Sequence, residues 1–276
     1  MPARTVVITG ASDGVGTAAA RALTRAGDQV VVVGRSPDKT AAVAAELGAE
    51  HLVADFSRLD DVRALAAALL AAHPRIDVLA NNAGAIFANE RSTTPDGFES
   101  TFQVNYLAPF LLTELLHDRL VDSGATVINT SSVAGARFGR LDLADLQSER
   151  AYSPTRAYGA SKLAQILHAK ELDRRYGAQG LAAASFHPGG IASNFSTTDG
   201  SPWRFMYRSR LKNLILASTD KGADTLVWLA QTPPHQGWEP GGYYTRRKPG
   251  RTVPAADDAT LAAGLWARSV ELLVLG

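Results

Sequence analysis

A doubly wound α/β fold, with about seven parallel strands and helices on both faces of the sheet, is predicted by three features of this 276-residue chain. Short β-branched runs alternate with Ala- and Leu-rich stretches of helical periodicity, the sequence form of repeated β-α-β units. The joints between them are short, so consecutive strands lie one crossover apart and parallel. Each glycine-rich or polar signature follows a strand run directly, at the carboxyl edge where such sheets bind ligands.

Taken in order, Thr5-Val6-Val7-Ile8 is a buried strand by composition. It stops at Thr9-Gly10-Ala11-Ser12-Asp13-Gly14-Val15-Gly16, and a helical pattern follows as far as Gly27. Strand, glycine turn and helix together let backbone N–H groups approach a phosphate at the positive end of the helix. The spacing is Gly-x3-Gly-x-Gly rather than the commoner Gly-x-Gly-x2-Gly. Gln29 to Val33 is the second strand, closed by Gly34-Arg35-Ser36. At that strand end an acidic residue suits a free ribose 2′-hydroxyl and an arginine suits a 2′-phosphate. Arg35, with Ser12 and Lys39 near, therefore argues for NADP(H); the plainer reading is a surface arginine at a helix start.

Pro37 to Leu47 reads as a helix, Glu50 to Ala54 as a strand ending at Asp55-Phe56-Ser57, and Leu59 to Ala72 as a helix. Ile76 to Ala80 is the fourth strand, ending at Asn81-Asn82-Ala83-Gly84. Pro95 to about Asp122 reads as one extended helix rich in Phe and Leu, with Asn105 inside it. A buried asparagine there needs partners, structural or functional. Ala125 to Asn129 is the fifth strand, and its end, Thr130-Ser131-Ser132, offers hydroxyls that serve a turn or a reaction equally well. After a longer segment, 133–155, Pro154 to Arg175 is helical and carries Tyr158 and Lys162. Leu181 to Phe186 is the sixth strand, ending at His187-Pro188-Gly189-Gly190. Residues 191–217 are mixed, Thr219 to Gln231 is a helix, Gly241 to Thr245 a short strand and Ala256 to Leu275 a closing helix. With no repeat and no linker, one domain is expected.

Composition narrows the function. Hydrophobic residues make up 46% and charged residues 20%, and the net charge is +1, so nothing points to nucleic acid. The absence of cysteine excludes disulfides, thiolate nucleophiles and cysteine-ligated metal centres. No apolar run reaches membrane-spanning length, no leader pattern opens the chain, and a cytoplasmic protein is expected.

Tyr158 and Lys162 stand at i and i+4 of a helix, on one face and roughly 5–6 Å apart at Cβ. A free tyrosine titrates near about 10. A fixed positive charge nearby favours the phenolate and makes the residue a usable general acid or base. Alone, such a pair is usually just a solvated helix face.

With these signatures in this order, the chain resembles the short-chain dehydrogenase/reductase family, a Rossmann-type fold, over nearly its whole length. Thr9-Gly10 through Gly14 and Gly16 is similar to the family's cofactor turn, and Asn81-Asn82-Ala83-Gly84 to its fourth-strand motif. Ser132, Tyr158 and Lys162 match its catalytic serine, tyrosine and lysine, Asn105 its fourth catalytic member, and Pro188-Gly189 the motif after its sixth strand. Phe102 to Leu107, Ser161-Lys162-Leu163-Ala164, His187-Pro188-Gly189 and the long gap from Ser132 to Tyr158 resemble the retinol-dehydrogenase-like branch.

The resemblance implies hydride transfer between a nicotinamide and a carbonyl/alcohol pair, with a bulky lipophilic or aromatic ketone or aldehyde as substrate. Tyr158 would pass its proton to the oxygen, Ser132 would hydrogen-bond it, and Lys162 would tune Tyr158 and bond the nicotinamide ribose. Asn105 would hold a water linking Lys162 to solvent. Cofactor contacts are implied for Gly10, Ser12, Asp13, Gly14, Val15, Gly16, Arg35, Asp55, Phe56, Asn82, Ala83, Gly84, Tyr158, Lys162, Pro188, Gly189, Ile191 and Ser193. NADP(H) is preferred and NAD(H) admitted. Asp13 departs from the pattern, standing where some NADP-preferring relatives carry a basic residue. Ser193 stands in place of a threonine.

Ser131 is expected to be a structural neighbour, His187 a structural histidine, and no histidine spacing suggests a metal. Segments 133–155 and 190–217 would cover the substrate, with Phe138, Leu141, Phe195, Trp203, Phe205 and Met206 forming an apolar pocket or packing a lid. The Trp203–Leu216 stretch, with arginines beside apolar residues, is also compatible with a membrane surface contact. Helices 95–122 and 155–176 would pair between subunits in a homodimer or homotetramer, by analogy with relatives. Competing readings are an NADP(H)-sensing protein without turnover, which needs none of the four catalytic residues, and a secondary-metabolite ketoreductase of narrow specificity. A sugar-nucleotide epimerase would call for a larger C-terminal part.

Overall fold

Apolar runs buried on both faces build the centre of the molecule. The computed structural model describes residues 3–87, 90–189 and 218–275. Its elements are β1 (Thr5–Thr9), α1 (Gly14–Arg25), β2 (Gln29–Gly34), α2 (Pro37–Leu47), β3 (Glu50–Val53), α3 (Leu59–Ala72) and β4 (Val78–Asn81). There follow α4 (Ser100–Phe102), a π-helical turn (Gln103–Leu107), α5 (Ala108–Leu115), α6 (His117–Ser123), β5 (Thr126–Thr130) and α7 (Val133–Phe138). The last are α8 (Pro154–Tyr176), β6 (Ala182–His187), α9 (Thr219–Gln231), β7 (Tyr243–Thr245), β8 (Lys248–Pro249) and α10 (Ala259–Leu273).

The strands pair in the order β3-β2-β1-β4-β5-β6-β7-β8. The first seven are mutually parallel; β8, a two-residue strand absent from the sequence reading, is antiparallel to β7. Strand residues alternate between two cores, as a two-residue period requires. Val7, Val31, Leu79, Val127 and Ala183 face the core under α3, α5, α8 and α10. Val6, Ile8, Val32, Ala80, Ile128 and Ala184 face the core under α1 and α9. The strand order reverses between β1 and β4, which opens the crevice at their carboxyl ends.

The expected single helix over 95–122 is broken. Helical structure starts only after Glu99, whose buried carboxylate accepts from the N–H groups of Thr101 and Phe102. The chain then widens into the π turn at Gln103–Leu107 before α5. Pro109 supplies a cause: it has no N–H to reach the Asn105 carbonyl four residues back. A second break at Leu116 separates α6.

Two helices sequence reasoning missed or placed differently shape the site. Helix α7 lies in the 133–155 segment, to which the sequence assigned no element, and it packs on α8 through Gly135. A Cβ at Gly135 would stand 2.4 Å from the Lys162 carbonyl carbon and 2.6 Å from the Leu163 nitrogen. Gly135→Ala must therefore push two backbones apart. We expect it to cost about 1–3 kcal/mol or more and to lower the melting temperature by several degrees, read by thermal denaturation; an unchanged melting temperature would show that α7 yields freely.

Helix α10 covers α5 and α8. Trp266 packs edge-on against Phe110 at 4.9 Å, and the Tyr106 hydroxyl meets Ser269 Oγ at 2.9 Å. Part of the apolar surface of α5 and the π turn is thus covered by the chain's own C-terminal helix. Among the described residues, no helix is long and apolar enough to cross a membrane.

Candidate active site

The carboxyl edge of the sheet is assembled from the ends of six strands, β1 to β6. At the first, Gly10 and Gly14 take positive φ, 65° and 60°, which only glycine adopts without strain. A Cβ on Gly16 would meet the Gly10 carbonyl oxygen at 2.4 Å and Asn82 Nδ2 at 2.7 Å. The Gly10–Val15–Gly16 turn is thus a cradle of bare backbone at the start of α1, suited to a pyrophosphate. Asn82 seals it from β4: its Nδ2 donates to the Thr9 carbonyl at 2.9 Å, and the N–H groups of Asn82 and Ala83 donate to Thr9 Oγ1 at 3.0 Å. Gly84 continues the same loop. Thr9 itself was not singled out; a hydroxyl on the last strand residue before a glycine turn was the available signal.

Arg35 is exposed at the end of β2. Ser12 lies beside it: a Cβ on Gly34 would come within 2.8 Å of the Ser12 hydroxyl. Lys39, on the first turn of α2, is also exposed. Asp13 is the N-cap of α1, its carboxylate accepting from the Gly14 N–H at 2.7 Å. At the end of β3, Asp55 accepts from the Ser57 N–H and hydroxyl, while Phe56 is buried.

The reactive candidates converge from β5, α7 and α8. Ser132 caps α7, accepting the Ala134 N–H at 3.2 Å, which leaves its hydroxyl proton to donate. Ser131 instead donates to the Lys162 carbonyl at 2.6 Å, the structural part expected of it. Ser153, with Pro154 behind it, starts α8 and so sets where Tyr158 stands. Tyr158 is half-buried; the Lys162 ammonium lies 5.8 Å from the centroid of its ring. Lys162 is only 1% exposed, and its Nζ donates to the Thr130 carbonyl at 2.9 Å. Burial holds this amine well below its ordinary value, at about 7.

Asn105, fully buried in the π turn, accepts the Ala85 N–H at 2.7 Å through Oδ1 and donates to the Ala85 carbonyl at 2.9 Å and to Ser161 Oγ at 3.1 Å. Its carbonyl accepts from the Gln165 side chain. The structure therefore joins it to α8 directly through protein groups.

Pro188 and Gly189 follow β6, partly exposed, beside His187, which burial and then Arg246 hold down at about 4. Ile191, Ser193, Phe195, Trp203, Phe205 and Met206 lie outside the described residues. Phe138 is 75% exposed, and Leu141 is partly buried, packed against the core. A cavity of about 500 Å³ is lined by Arg137, Phe138, Gly139, Arg140 and the Val253–Ala255 stretch. Among the described residues no group of side chains could hold a metal ion.

A family model described as short chain dehydrogenase matches residues 4–202. The chain belongs to the short-chain dehydrogenase/reductase family. Its relatives place it in the retinol-dehydrogenase-like branch. The Streptomyces sp. (strain C5) protein named "Putative daunorubicin C-13 ketoreductase DnrU" is 44% identical over 98% of this chain and 92% of its own length. Human retinol dehydrogenase 13 is 35% identical over 100% of this chain and 86% of its own. The crystal structure of an uncharacterized protein from Mycobacterium Paratuberculosis superposes with a TM-score of 0.74 at 35% identity, covering 98% of this chain and 92% of that one. That of a metagenomic short-chain oxidoreductase in complex with NADP does so with a TM-score of 0.63 at 26% identity, over 87% of this chain and 95% of that one. This short-chain dehydrogenase is thus an oxidoreductase of CH–OH groups, from a family that uses NAD(P)(H).

Proposed function

We propose that this enzyme is an NADP(H)-dependent reductase of bulky lipophilic or aromatic ketones or aldehydes, able to run the reverse alcohol oxidation. The observation that carries the reading is the meeting of Ser132, Tyr158 and a buried Lys162 at one carboxyl edge of the sheet. The cradle at Gly10–Gly16, which any Cβ would fill, fits a dinucleotide pyrophosphate, and Arg35 and Ser12 fit a ribose 2′-phosphate. When bound, the nicotinamide supplies the hydride.

The chain's own groups handle the oxygen and its proton. Ser132 donates a hydrogen bond to the carbonyl oxygen and stabilises the charge that develops there. Tyr158 gives that oxygen its proton. Lys162, held on the Thr130 carbonyl, keeps a cation against the tyrosine ring. Asn105 fixes the loop at Ala85 and the helix at Ser161 relative to one another. The substrate would lie under segments 133–155 and 190–217, within one cofactor-binding domain. The ketoreductase relative supports a ketone as substrate, and the NADP-bound relative supports the cofactor.

The test is a titration with NADPH and NADH, on the native enzyme and on Arg35→Ala, followed by a screen of apolar ketones and aldehydes. The expected result is tighter NADPH binding that falls about 10–100-fold in the variant, the loss of a charged hydrogen bond, with NADH little changed. NADH binding as tight as NADPH would overturn the cofactor preference. Tight binding without turnover on any carbonyl would leave a sensor in place of an enzyme.

A further inference from the structure

We infer that Gln165 is a positioning residue of the reduction, tying the catalytic helix α8 to the π turn at Asn105. The inference rests on the proposed reaction but concerns a residue that the sequence signatures pass over. Pro109 cannot donate to the Asn105 carbonyl, so that carbonyl is left without its helical i+4 donor. Gln165, one turn beyond Lys162 on α8 and 1% exposed, supplies the missing bond through Nε2. Its Oε1 is buried with no partner. A buried amide with one unpaired end is costly, and an apolar side chain would fit a core position at less expense. What the amide contributes is therefore the bond to Asn105.

The geometry around Lys162 explains why that bond matters. Ser161, immediately before it, is bonded to Asn105 Nδ2 at 3.1 Å, and Gln165, three residues after it, to the Asn105 carbonyl. The Gln165 backbone carbonyl accepts from Asn129 Nδ2 of β5 at 3.2 Å, and the Lys162 carbonyl accepts from Ser131 Oγ. The turn of α8 that carries Lys162 is thus pinned to β5 on one side and to the π turn on the other. This sets the register at which Nζ reaches the Thr130 carbonyl and lies against Tyr158. Releasing one pin lets the turn drift, and misplacement by about 1 Å costs on the order of 10²-fold in rate.

Gln165→Met keeps length and volume and removes the donor; Gln165→Asn keeps an amide too short to reach. For both we expect kcat with NADPH and a ketone to fall between about 10- and 100-fold, with the NADPH dissociation constant and substrate KM within about twofold of native. A second change separates positioning from simple satisfaction of the carbonyl. Pro109→Ala restores a backbone N–H that can reach Asn105, so the Pro109→Ala/Gln165→Met double variant should regain melting temperature but not kcat. Full recovery of kcat in the double variant, or native kcat in both single variants, would overturn the inference. Should the native protein bind NADPH but turn over no carbonyl, the proposed reaction fails separately. Amide hydrogen exchange then decides: faster exchange at 158–165 in Gln165→Met supports the pin, and unchanged exchange removes it.

Discussion

Tyr158→Phe is expected to lower kcat by about 10²–10⁴-fold, the usual contribution of a positioned general acid, while NADPH binding stays within about twofold of native. The change removes one oxygen from a half-buried ring and leaves α8, the Gly135 contact and the Lys162–Thr130 bond in place. Because the ring itself remains, the cation at 5.8 Å from its centroid keeps its aromatic partner. The selective loss would therefore report on the proton and not on packing. Steady-state turnover, cofactor titration and a melting curve on the same preparation check it. Near-native turnover would remove Tyr158 from the chemistry, and weakened cofactor binding would recast it as a binding residue.

Lys162→Met is expected to separate stability from activity. In the folded protein the amine is held at about 7, because burial disfavours its charged form. In the unfolded chain it titrates at its ordinary value, near about 10.4. The unfolded state therefore binds the proton more tightly. Native stability declines as pH falls from the unfolded value toward the folded one, and below about 7 the full cost of the buried cation is present. Methionine has a similar length and no charge. The cofactor-free variant should melt higher than native at pH 6, by an amount worth on the order of a few kcal/mol, with the difference shrinking toward pH 10. Turnover should fall by at least about 10²-fold, since nothing then holds a cation beside Tyr158. Paired melting curves across that range, with rates at neutral pH, test both halves. A variant less stable than native at pH 6 would mean that the Thr130 carbonyl and its surroundings compensate the charge fully. Such a result would argue that Lys162 is a fold residue first.

The architecture was legible in the residues because its cause is local. A strand covered on both faces must be apolar throughout, so Val6-Val7-Ile8 and Val30 to Val33 announce parallel strands without any partner in view. Glycines with positive φ and polar strand ends are equally local, which is why Gly10, Gly14, Asn82, Ser132 and the Tyr158/Lys162 spacing could be read in order. What tertiary structure decided depends on groups far apart in the chain. Helical periodicity over 95–122 was the same with or without a π turn; only the missing Pro109 donor and the distant Gln165 amide separate the two. That Leu141 packs against the core is visible only once the chain is assembled. Which segment covers the Phe110 and Tyr106 side of α5 and the π turn is likewise decided far along the chain, by Trp266 and Ser269 of α10. Periodicity reports that a face is buried; which segment buries it is set by the free energy of the whole assembled chain.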